Sequence, residues 1–266
     1  MLPVYRIPAF TKTGLVVHGF TTRLGGSSGG NYTSLNLGLH VNDTTDNVLD
    51  NRKNLCRSMG INFDHLVVGQ QVHGDEVFTV TREHLGRGND SLEDAIPGVD
   101  ALITDKPGVP LTSYYADCVP LFFFDPVNKV VGLAHAGWKG TVQKIGVKTL
   151  QKMHKQFGSK PEEILVGIGP SIGPCCYVVD NRVITKLQQA FGYWNELVVS
   201  CGEQQWMLDL WESNRRAIMN FGVKEHKISV AKLCTSCHSD IFFSHRASGG
   251  CTGRMASFIM LKTSEK

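Results

Sequence analysis

The sequence predicts a single α+β domain in which a mixed central β core is flanked by helices. Three observations support this prediction. Runs of β-branched and aromatic residues come in clusters, with helical segments between the clusters instead of after every strand. The 266 residues contain no internal repeat, and no Pro- or Gly-rich stretch divides them into two halves. We therefore expect residues 1–266 to form one domain.

Six segments have the composition of β-strands, because β-branched and aromatic residues run up to turn-forming residues. The turn signal Asp125-Pro126-Val127-Asn128 separates the last two segments and predicts a β-hairpin there. The predicted strands are residues 15–20, 66–70, 76–80, 101–104, 119–124 and 129–135.

Four segments have apolar residues at helical spacing, and each is followed by a glycine. A glycine at this point indicates a helix end, because it adopts the left-handed conformation at the lowest cost. The predicted helices are residues 48–59, 141–157, 181–191 and 208–221.

Composition excludes several classes of protein. A formal net charge of +3 and a pI of about 8.4 are too small to indicate a nucleic-acid-binding surface. No apolar run approaches the roughly 18 residues of a membrane span, and residues 1–10 lack the features of a signal peptide. We expect a cytoplasmic monomer whose eight cysteines are reduced, so that each is a core residue, a metal ligand or a nucleophile.

Cys118 and His135 are the first candidates for chemistry. Pairing of the two hairpin strands would place both at the same open end, beside Gly137 and Gly140. A thiol and an imidazole brought together at a sheet end form either a nucleophile–base pair or two metal ligands. A buried thiol beside a core histidine is the alternative without function.

His73 stands in the same context as His135, since it follows a predicted strand and precedes a glycine. Together with Cys118, the two histidines make a three-ligand set with a fourth position for water or substrate, which is typical of catalytic zinc sites. Asp117 is a candidate to orient a ligand or to move a proton. Its alternative role is that of a turn residue bonded to backbone amides.

A second cysteine pattern is Cys234-Thr235-Ser236-Cys237. Two such pairs form a zinc knuckle, but the adjacent Cys175 and Cys176 make poor partners for this one. We therefore expect structural thiols here and no second metal site.

Seven sequence blocks occur in order along nearly the whole chain. With them, the sequence resembles the laccase-domain family to which YfiH and YlmD belong. An ordered set of this kind is more specific than any single motif. The blocks are residues 19–26 (GFTTRLGG), 35–38 (LNLG), 72–74 (VHG), 116–120 (ADCVP), 135–140 (HAGWKG), 168–173 (IGPSIG) and 252–254 (TGR).

The resemblance implies a CNF1/YfiH-like α+β fold and a zinc enzyme, first called a polyphenol oxidase and later a purine nucleoside phosphorylase. Its implied substrates are phosphate and the nucleosides adenosine, inosine, guanosine and methylthioadenosine, and adenosine deamination is implied as well. The metal ligands carry over as His73, Cys118 and His135, with Cys118 and Asp117 as catalytic residues.

Phosphorolysis needs an anion site, and Arg23 offers a guanidinium beside the backbone N–H groups of Gly25 and Gly26. The alternative is a surface loop with a solvated arginine. We also expect Asn36 and Arg246 to contact substrate or phosphate. Residues 242–247 depart from the family's FFSYRR-like run and read FFSHRA, which retains only the first arginine.

Two other functions compete with this one. A set of two histidines and a cysteine can also bind copper, as in a polyphenol oxidase, although the sequence lacks the paired His-x-His motifs of a multicopper cluster. A non-enzymatic, metal-stabilised module in cell-envelope processes would need a closed site of four ligands, and the three-ligand set argues against it.

Overall fold

Two β-sheets packed face to face form the centre of the protein, and helices cover their outer faces. The computed structural model describes residues 2–263. The strands in this range are β1 (Val4–Tyr5), β2 (Val16–Thr21), β3 (Val67–Val68), β4 (Val77–Thr79), β5 (Ala101–Thr104), β6 (Leu111–Tyr115), β7 (Val119–Asp125), β8 (Val130–Ala136), β9 (Leu165–Ile168), β10 (Val178–Asp180), β11 (Val198–Gly202), β12 (Gln205–Leu208), β13 (Ile228–Val230) and β14 (Met255–Leu261). The α-helices are α1 (Pro8–Thr13), α2 (Thr45–Met59), α3 (Trp138–Val142), α4 (Ile145–Phe157), α5 (Asn181–Ala190) and α6 (Leu210–Asn220).

Both large sheets are mixed. The six-stranded sheet has the order β13-β9-β7-β8-β5-β4, in which β13–β9 and β5–β4 are parallel pairs and the others are antiparallel. The five-stranded sheet has the order β1-β2-β14-β6-β3, with only the β6–β3 pair parallel. A small antiparallel sheet, β10-β12-β11, completes the β structure of residues 2–263. The predicted α+β class with a mixed β core is confirmed.

Alternation along β7 shows how the layers are built. Phe122 faces the five-stranded sheet and packs in one cluster with Leu111 and Ile259. Phe123 faces the other way and packs with Leu150 and Met153 of α4. Burial of each such side chain stabilises the fold by about 1.5–3 kcal/mol. On the outer face of the five-stranded sheet, α2 forms a third cluster with β6 and β14, so the layers run helix, sheet, sheet, helix.

The predicted elements are present with shifted ends, and one helix prediction is wrong. The segment 141–157 is not continuous, because α3 ends at Val142 and α4 begins at Ile145. Lys144 between them has the left-handed φ of 59° and interrupts the helix. Gly60 and Gly158 end α2 and α4 in the left-handed conformation, as predicted. The same prediction is wrong for Gly192, because α5 ends at Ala190 and is capped by Phe191 in an extended conformation. That the whole of 1–266 forms one domain stays a prediction, since Met1 and residues 264–266 lie outside the described range.

The predicted hairpin is formed by β7 and β8. Its register pairs Val119 with Ala136 and Pro120 with His135. Cys118, which directly precedes β7, and His135 therefore lie at the same end of the six-stranded sheet, as predicted. None of the helices described between residues 2 and 263 has the length and apolarity needed to cross a membrane.

Candidate metal centre

His73, Cys118 and His135 converge at the open end of the β7–β8 hairpin. His73 lies between β3 and β4, Cys118 lies in the turn from β6 to β7, and His135 belongs to β8. One ligand atom from each lies within 4.8 Å of the others. The two imidazole rings meet edge to face, with centroids 4.9 Å apart. The structure thus brings the whole predicted trio together.

Two residues of this region have a backbone conformation that is unusual for a side chain other than glycine. His73 has φ of 59° and Asp117 has φ of 84°. Such conformations cost about 1–3 kcal/mol each and persist where surrounding contacts fix them, often at functional sites. The contacts that fix them here come from two buried carboxylates, Asp100 and Asp117.

Asp100 holds two of the three ligands in place. Its carboxylate accepts hydrogen bonds from the amides of Val72 and His73, both at 3.1 Å, and of Gly74 at 2.7 Å. It also lies 2.8 Å from Nδ1 of His135. Because a carboxylate only accepts, Nδ1 carries a proton, and Nε2 of His135 is the ring nitrogen that can bind a metal once it gives up its own proton.

The charges of this cluster favour the thiolate form of Cys118. Burial raises the pKa of Cys118, but the neighbouring His135 and His73 outweigh it and lower that pKa to about 6. Burial lowers the pKa of His135, whereas the Cys118 sulfur and the Asp100 carboxylate raise it to about 9. Burial also acts to raise the pKa of Asp100, but the bonds from His135 and the backbone amides hold it below its ordinary value.

Gly137 leaves room for the three ligands. A Cβ at this position would lie 3.0 Å from the Cys118 sulfur and 3.2 Å from Cδ2 of His73. Two imidazoles and a thiolate around this space are a donor set that suits zinc, with three protein ligands and an open fourth position. Copper accepts the same donors. The residues therefore fit the resident metal that the family resemblance implies.

Both carboxylate oxygens of Asp117 accept hydrogen bonds that stabilise the turn between β6 and β7. Oδ1 accepts from the Thr235 hydroxyl, and Oδ2 accepts from the Arg246 amide, each at 2.7 Å. The carboxylate is largely buried, with 8% of the residue exposed. These contacts match the role of a turn residue bonded to backbone and hydroxyl groups, and a role in proton transfer stays a prediction.

A cavity of about 680 Å³ opens beside the trio. A volume of this size holds a nucleoside-sized ligand, since small-molecule sites are typically about 300–1,000 Å³. Its walls combine aromatic, amide and cationic side chains around the metal ligands. The lining includes His40, Gln70, Gln71, His73, Leu92, Tyr114, Asp117, Cys118, His135, Trp138, Ile172, Tyr177, His245, Arg246 and Arg254.

Arg254 is a cavity residue that the sequence analysis did not select, although it closes the TGR block. Its Nη1 donates to the carbonyl oxygens of Thr252 and Gly253 at 2.7 and 3.0 Å. Among the described residues, its Nε and Nη2 contact no acceptor, so one complete edge of the guanidinium is available for a bidentate anion. Burial, with Arg254 close by, lowers the pKa of His40 to about 4, which keeps His40 neutral.

Arg246 lines the cavity as predicted but uses part of its guanidinium for the fold. Its Nη1 and Nη2 donate to the carbonyl oxygens of Cys176 and Val178 at 2.9 and 3.0 Å. The guanidinium also lies over the Tyr177 ring, 5.3 Å from the centroid. Arg246 therefore fixes the loop that carries Tyr177 into the cavity wall.

The residues predicted to bind phosphate around Arg23 lie outside the cavity lining. The Arg23 guanidinium donates to the carbonyl oxygens of Thr33 and Ser239, both at 2.7 Å, and lies over the Phe243 ring. The amides of Gly25 and Gly26 donate to the Ser34 hydroxyl. Nε and Nη1 of Arg23 and the amides of Gly25 and Gly26 therefore donate to protein acceptors, and phosphate binding at this nest stays a prediction.

The side chain of Asn36 holds the backbone of the cavity residue Arg254. Its Oδ1 accepts from the amides of Gly38 and Arg254 at 3.1 and 2.9 Å, and its Nδ2 donates to Asp43 at 2.9 Å. The residue is fully buried. Asn36 therefore positions Arg254, and direct contact between Asn36 and a substrate stays a prediction.

Residues 17–262 match the family described as multi-copper polyphenol oxidoreductase laccase. The chain belongs to this family. The predicted resemblance is thereby confirmed over nearly the whole of the described range.

Relatives and a solved structure agree with this assignment. The purine nucleoside phosphorylase YlmD of Geobacillus stearothermophilus is 43% identical over 248 residues, which cover 91% of this chain and 89% of that protein. The adenosine deaminase RL5 of an unknown prokaryotic organism is 33% identical over 257 residues, covering 95% and 97%. The crystal structure of YlmD from Geobacillus stearothermophilus superposes with a TM-score of 0.92 at 40% identity, covering 97% of this chain and 94% of that one.

Proposed function

We propose that this protein is a zinc-dependent purine nucleoside phosphorylase that acts on adenosine, inosine, guanosine and methylthioadenosine. The observation that carries the proposal is an open set of ligands, His73, Cys118 and His135, in the wall of a nucleoside-sized cavity. Relatives named purine nucleoside phosphorylase, identical at 43% and 40% of positions, support the same reaction.

In the proposed reaction a phosphate oxygen forms a bond to C1′ of the ribose while the bond from C1′ to the purine nitrogen breaks. The purine leaves with the bonding electron pair and takes up a proton. Zinc, when bound by the trio, supplies Lewis-acid polarisation and a positive charge that positions an oxygen. Asp100 keeps Nδ1 of His135 protonated, so that Nε2 stays directed at the centre.

The anion subsite is proposed at Arg254, with Arg246 beside it. The Nε–Nη2 edge of Arg254 matches two oxygens of a phosphate, and a guanidinium binds such a pair through two parallel hydrogen bonds. Trp138 and Tyr177 supply apolar and aromatic surface for the base in the same cavity. The nest of Arg23, Gly25 and Gly26 remains a second candidate for the phosphate, and the substitutions Arg254→Lys and Arg23→Ala separate the two.

We propose that the same centre also deaminates adenosine, with water replacing the amino group at C6 and ammonia leaving. The relative named adenosine deaminase RL5 supports this activity. Because one cavity and one open ligand set would serve both reactions, the pose of the nucleoside would decide which bond breaks. Loss of the metal should therefore abolish both reactions together.

The test measures products from inosine and adenosine with and without phosphate, alongside the metal content of the protein. We expect phosphate-dependent release of hypoxanthine from inosine, and both adenine and inosine from adenosine. Cys118→Ala should lose these products together with most of the trio's metal, whereas Cys201→Ser, at an exposed cysteine on β11, should keep both. A His135→Ala protein that had lost this metal but kept either activity at the wild-type rate would refute the shared centre.

Oxidation of phenols is the competing reaction of the family description. Copper bound by the same trio would support oxygen-dependent oxidation of a phenol. Three results together would favour phenol oxidation over the proposed reaction. The protein would bind as much copper as zinc, it would consume oxygen when supplied with a phenol, and it would not cleave inosine in the presence of phosphate. A non-enzymatic module would show neither activity.

We also propose that the protein works as a monomer in the cytoplasm. Cys118 must be reduced to bind a metal, which suits a reducing compartment. Light scattering of the purified protein and fractionation of cells test these two statements.

A further inference from the structure

A second group of four thiols lies outside the proposed active centre. Cys175 and Cys176 lie in the loop between β9 and β10, and Cys234 and Cys237 lie in the loop after β13. All four sulfur atoms lie within 4.8 Å of one another. The expectation that the adjacent cysteines make poor partners for the Cys-x-x-Cys pair is therefore wrong.

A local turn explains why the adjacent cysteines both reach the cluster. The amides of Cys176 and Tyr177 both donate to the carbonyl oxygen of Gly173 at 3.1 Å, which curls the loop back on itself. The sulfur of Cys237 lies 3.5 Å from the sulfur of Cys175 and 3.4 Å from the sulfur of Cys176. The sequence separation of two cysteines alone does not show this geometry.

The sulfur separations suit a shared metal. Zinc–sulfur bonds of about 2.3 Å in a tetrahedron place the sulfurs about 3.8 Å apart. A disulfide instead joins two sulfurs at about 2.0 Å and would leave the other two thiols outside the bond. Here one cysteine sulfur contacts two others at similar distances, and the fourth is within reach of all of them.

We propose that Cys175, Cys176, Cys234 and Cys237 bind a structural zinc ion. Four protein ligands close the coordination sphere, which distinguishes this site from the open trio. Gly173 supports the cluster, since its amide donates to the Cys234 sulfur at 3.2 Å. Such hydrogen bonds orient the ligands of a metal. The inference does not depend on the proposed reaction, but the count of two ions in its test includes the zinc proposed for the trio.

The ion would join two loops that build the substrate cavity. Tyr177, which directly follows Cys176, lines that cavity. Thr235, which directly follows Cys234, donates to Asp117 in the turn that carries Cys118. Arg246 adds a direct bond to the Cys176 carbonyl oxygen. The proposed zinc ion would therefore hold together two loops of the cavity wall, although none of the four cysteines lines the cavity.

The test is zinc stoichiometry of the full chain purified under reducing conditions. We expect about two zinc ions per chain in the wild type, about one in Cys118→Ala and about one in Cys237→Ser, since each variant removes one site. Cys251→Ser, at an exposed cysteine outside both groups, should keep about two. X-ray absorption of the zinc left in Cys118→Ala should show only sulfur neighbours at about 2.3 Å.

Some results would overturn the proposal. The first is that the wild type binds about one zinc ion per chain and that Cys118→Ala binds none. The second is that the zinc remaining in Cys118→Ala has nitrogen neighbours. If Cys237→Ser fails to fold, alkylation of the native wild type replaces it. The four cysteines should resist alkylation until a chelator is added, while Cys201 and Cys251 react at once. A disulfide within the cluster of the reduced, active protein would equally contradict the site.

Discussion

Asp100 lies 2.8 Å from Nδ1 of His135 and also accepts a hydrogen bond from the backbone amide of His73 at 3.1 Å. One buried carboxylate therefore fixes two of the three candidate metal ligands, one through its ring and one through its backbone. This arrangement makes the metal centre sensitive to a residue that does not touch the metal itself.

Asp100→Asn should lower zinc affinity of the trio by about 10–100-fold. An asparagine presents an NH₂ group either to His135 or to the amides of residues 72–74, all of which are donors. Competition with a chromogenic chelator measures the affinity. Asp125→Asn is the control, because Asp125 is equally buried but caps the turn after β7. Equal losses in both variants would contradict a specific role of Asp100.

Gly137→Ala should weaken zinc binding by about 1–3 kcal/mol, the usual cost of overpacking. The new methyl group would lie 3.0 Å from the Cys118 sulfur and 3.2 Å from His73, so these two ligands must move apart. Gly192→Ala is the matched control, because a Cβ there meets nothing within 4 Å. Titration calorimetry with zinc checks the result. An unchanged zinc affinity in Gly137→Ala would show that the space between Cys118 and His73 tolerates a side chain.

Arg254→Lys should raise the KM for phosphate by about tenfold or more while the metal content stays unchanged, because lysine keeps the charge but loses the bidentate edge. Arg23→Ala should lower the free energy of unfolding, since it removes the bonds to Thr33 and Ser239, and should leave the KM for phosphate unchanged. Initial rates of inosine cleavage at several phosphate concentrations give the KM for phosphate of each variant and so show which arginine binds phosphate. The reverse pattern would assign phosphate to the predicted nest at Arg23.

His18 should make the fold acid-sensitive. Burial, followed by the charge of Arg6, lowers its pKa from 6.5 to about 4, and its Nε2 accepts from the Ile7 amide. The unfolded chain therefore binds the proton first as the pH falls. The contribution of His18 to the free energy of unfolding should be complete above pH 6.5 and should fall by up to about 3 kcal/mol between pH 6.5 and pH 4.

Urea unfolding at several pH values measures this dependence. His18→Gln should roughly halve the fall between pH 6.5 and pH 4, because glutamine can accept from the Ile7 amide without titrating, whereas His40, whose pKa is also about 4, keeps its share. His226→Gln, at an exposed histidine, should leave the dependence as in the wild type. An acid sensitivity as large in His18→Gln as in the wild type would contradict the role of His18.

Strand ends beside glycines were enough to select Cys118, His135 and His73 as candidate ligands, and the family resemblance implied the same three residues. The sequence was not enough for the groups that support them. Asp100 directly precedes a buried strand, and no pattern marks it as the partner of a histidine 35 residues later. The sequence likewise did not show that Arg23 donates to the carbonyl oxygens of Thr33 and Ser239, which lie far from it or in another loop along the chain.

Two central strands were also missed. β6 is buried at every position and β14 at all but one, so neither has the alternation of a strand with one face in solvent. Their composition, LTSYY and MASFIML, does not separate a buried strand from a loop or a helix. The helix break at Lys144 likewise has no local breaker residue. In each case tertiary packing overrides the local pattern.

The position of β14 has a consequence for synthesis of the protein. It pairs with β2 on one side and β6 on the other, although both precede it by more than a hundred residues. A growing chain on the ribosome therefore carries two unjoined strands until Met255–Leu261 has emerged. Contacts that span so much sequence form slowly. We conclude that the five-stranded sheet closes only late in translation, and that the N-terminal half must avoid aggregation while its central strand is still missing.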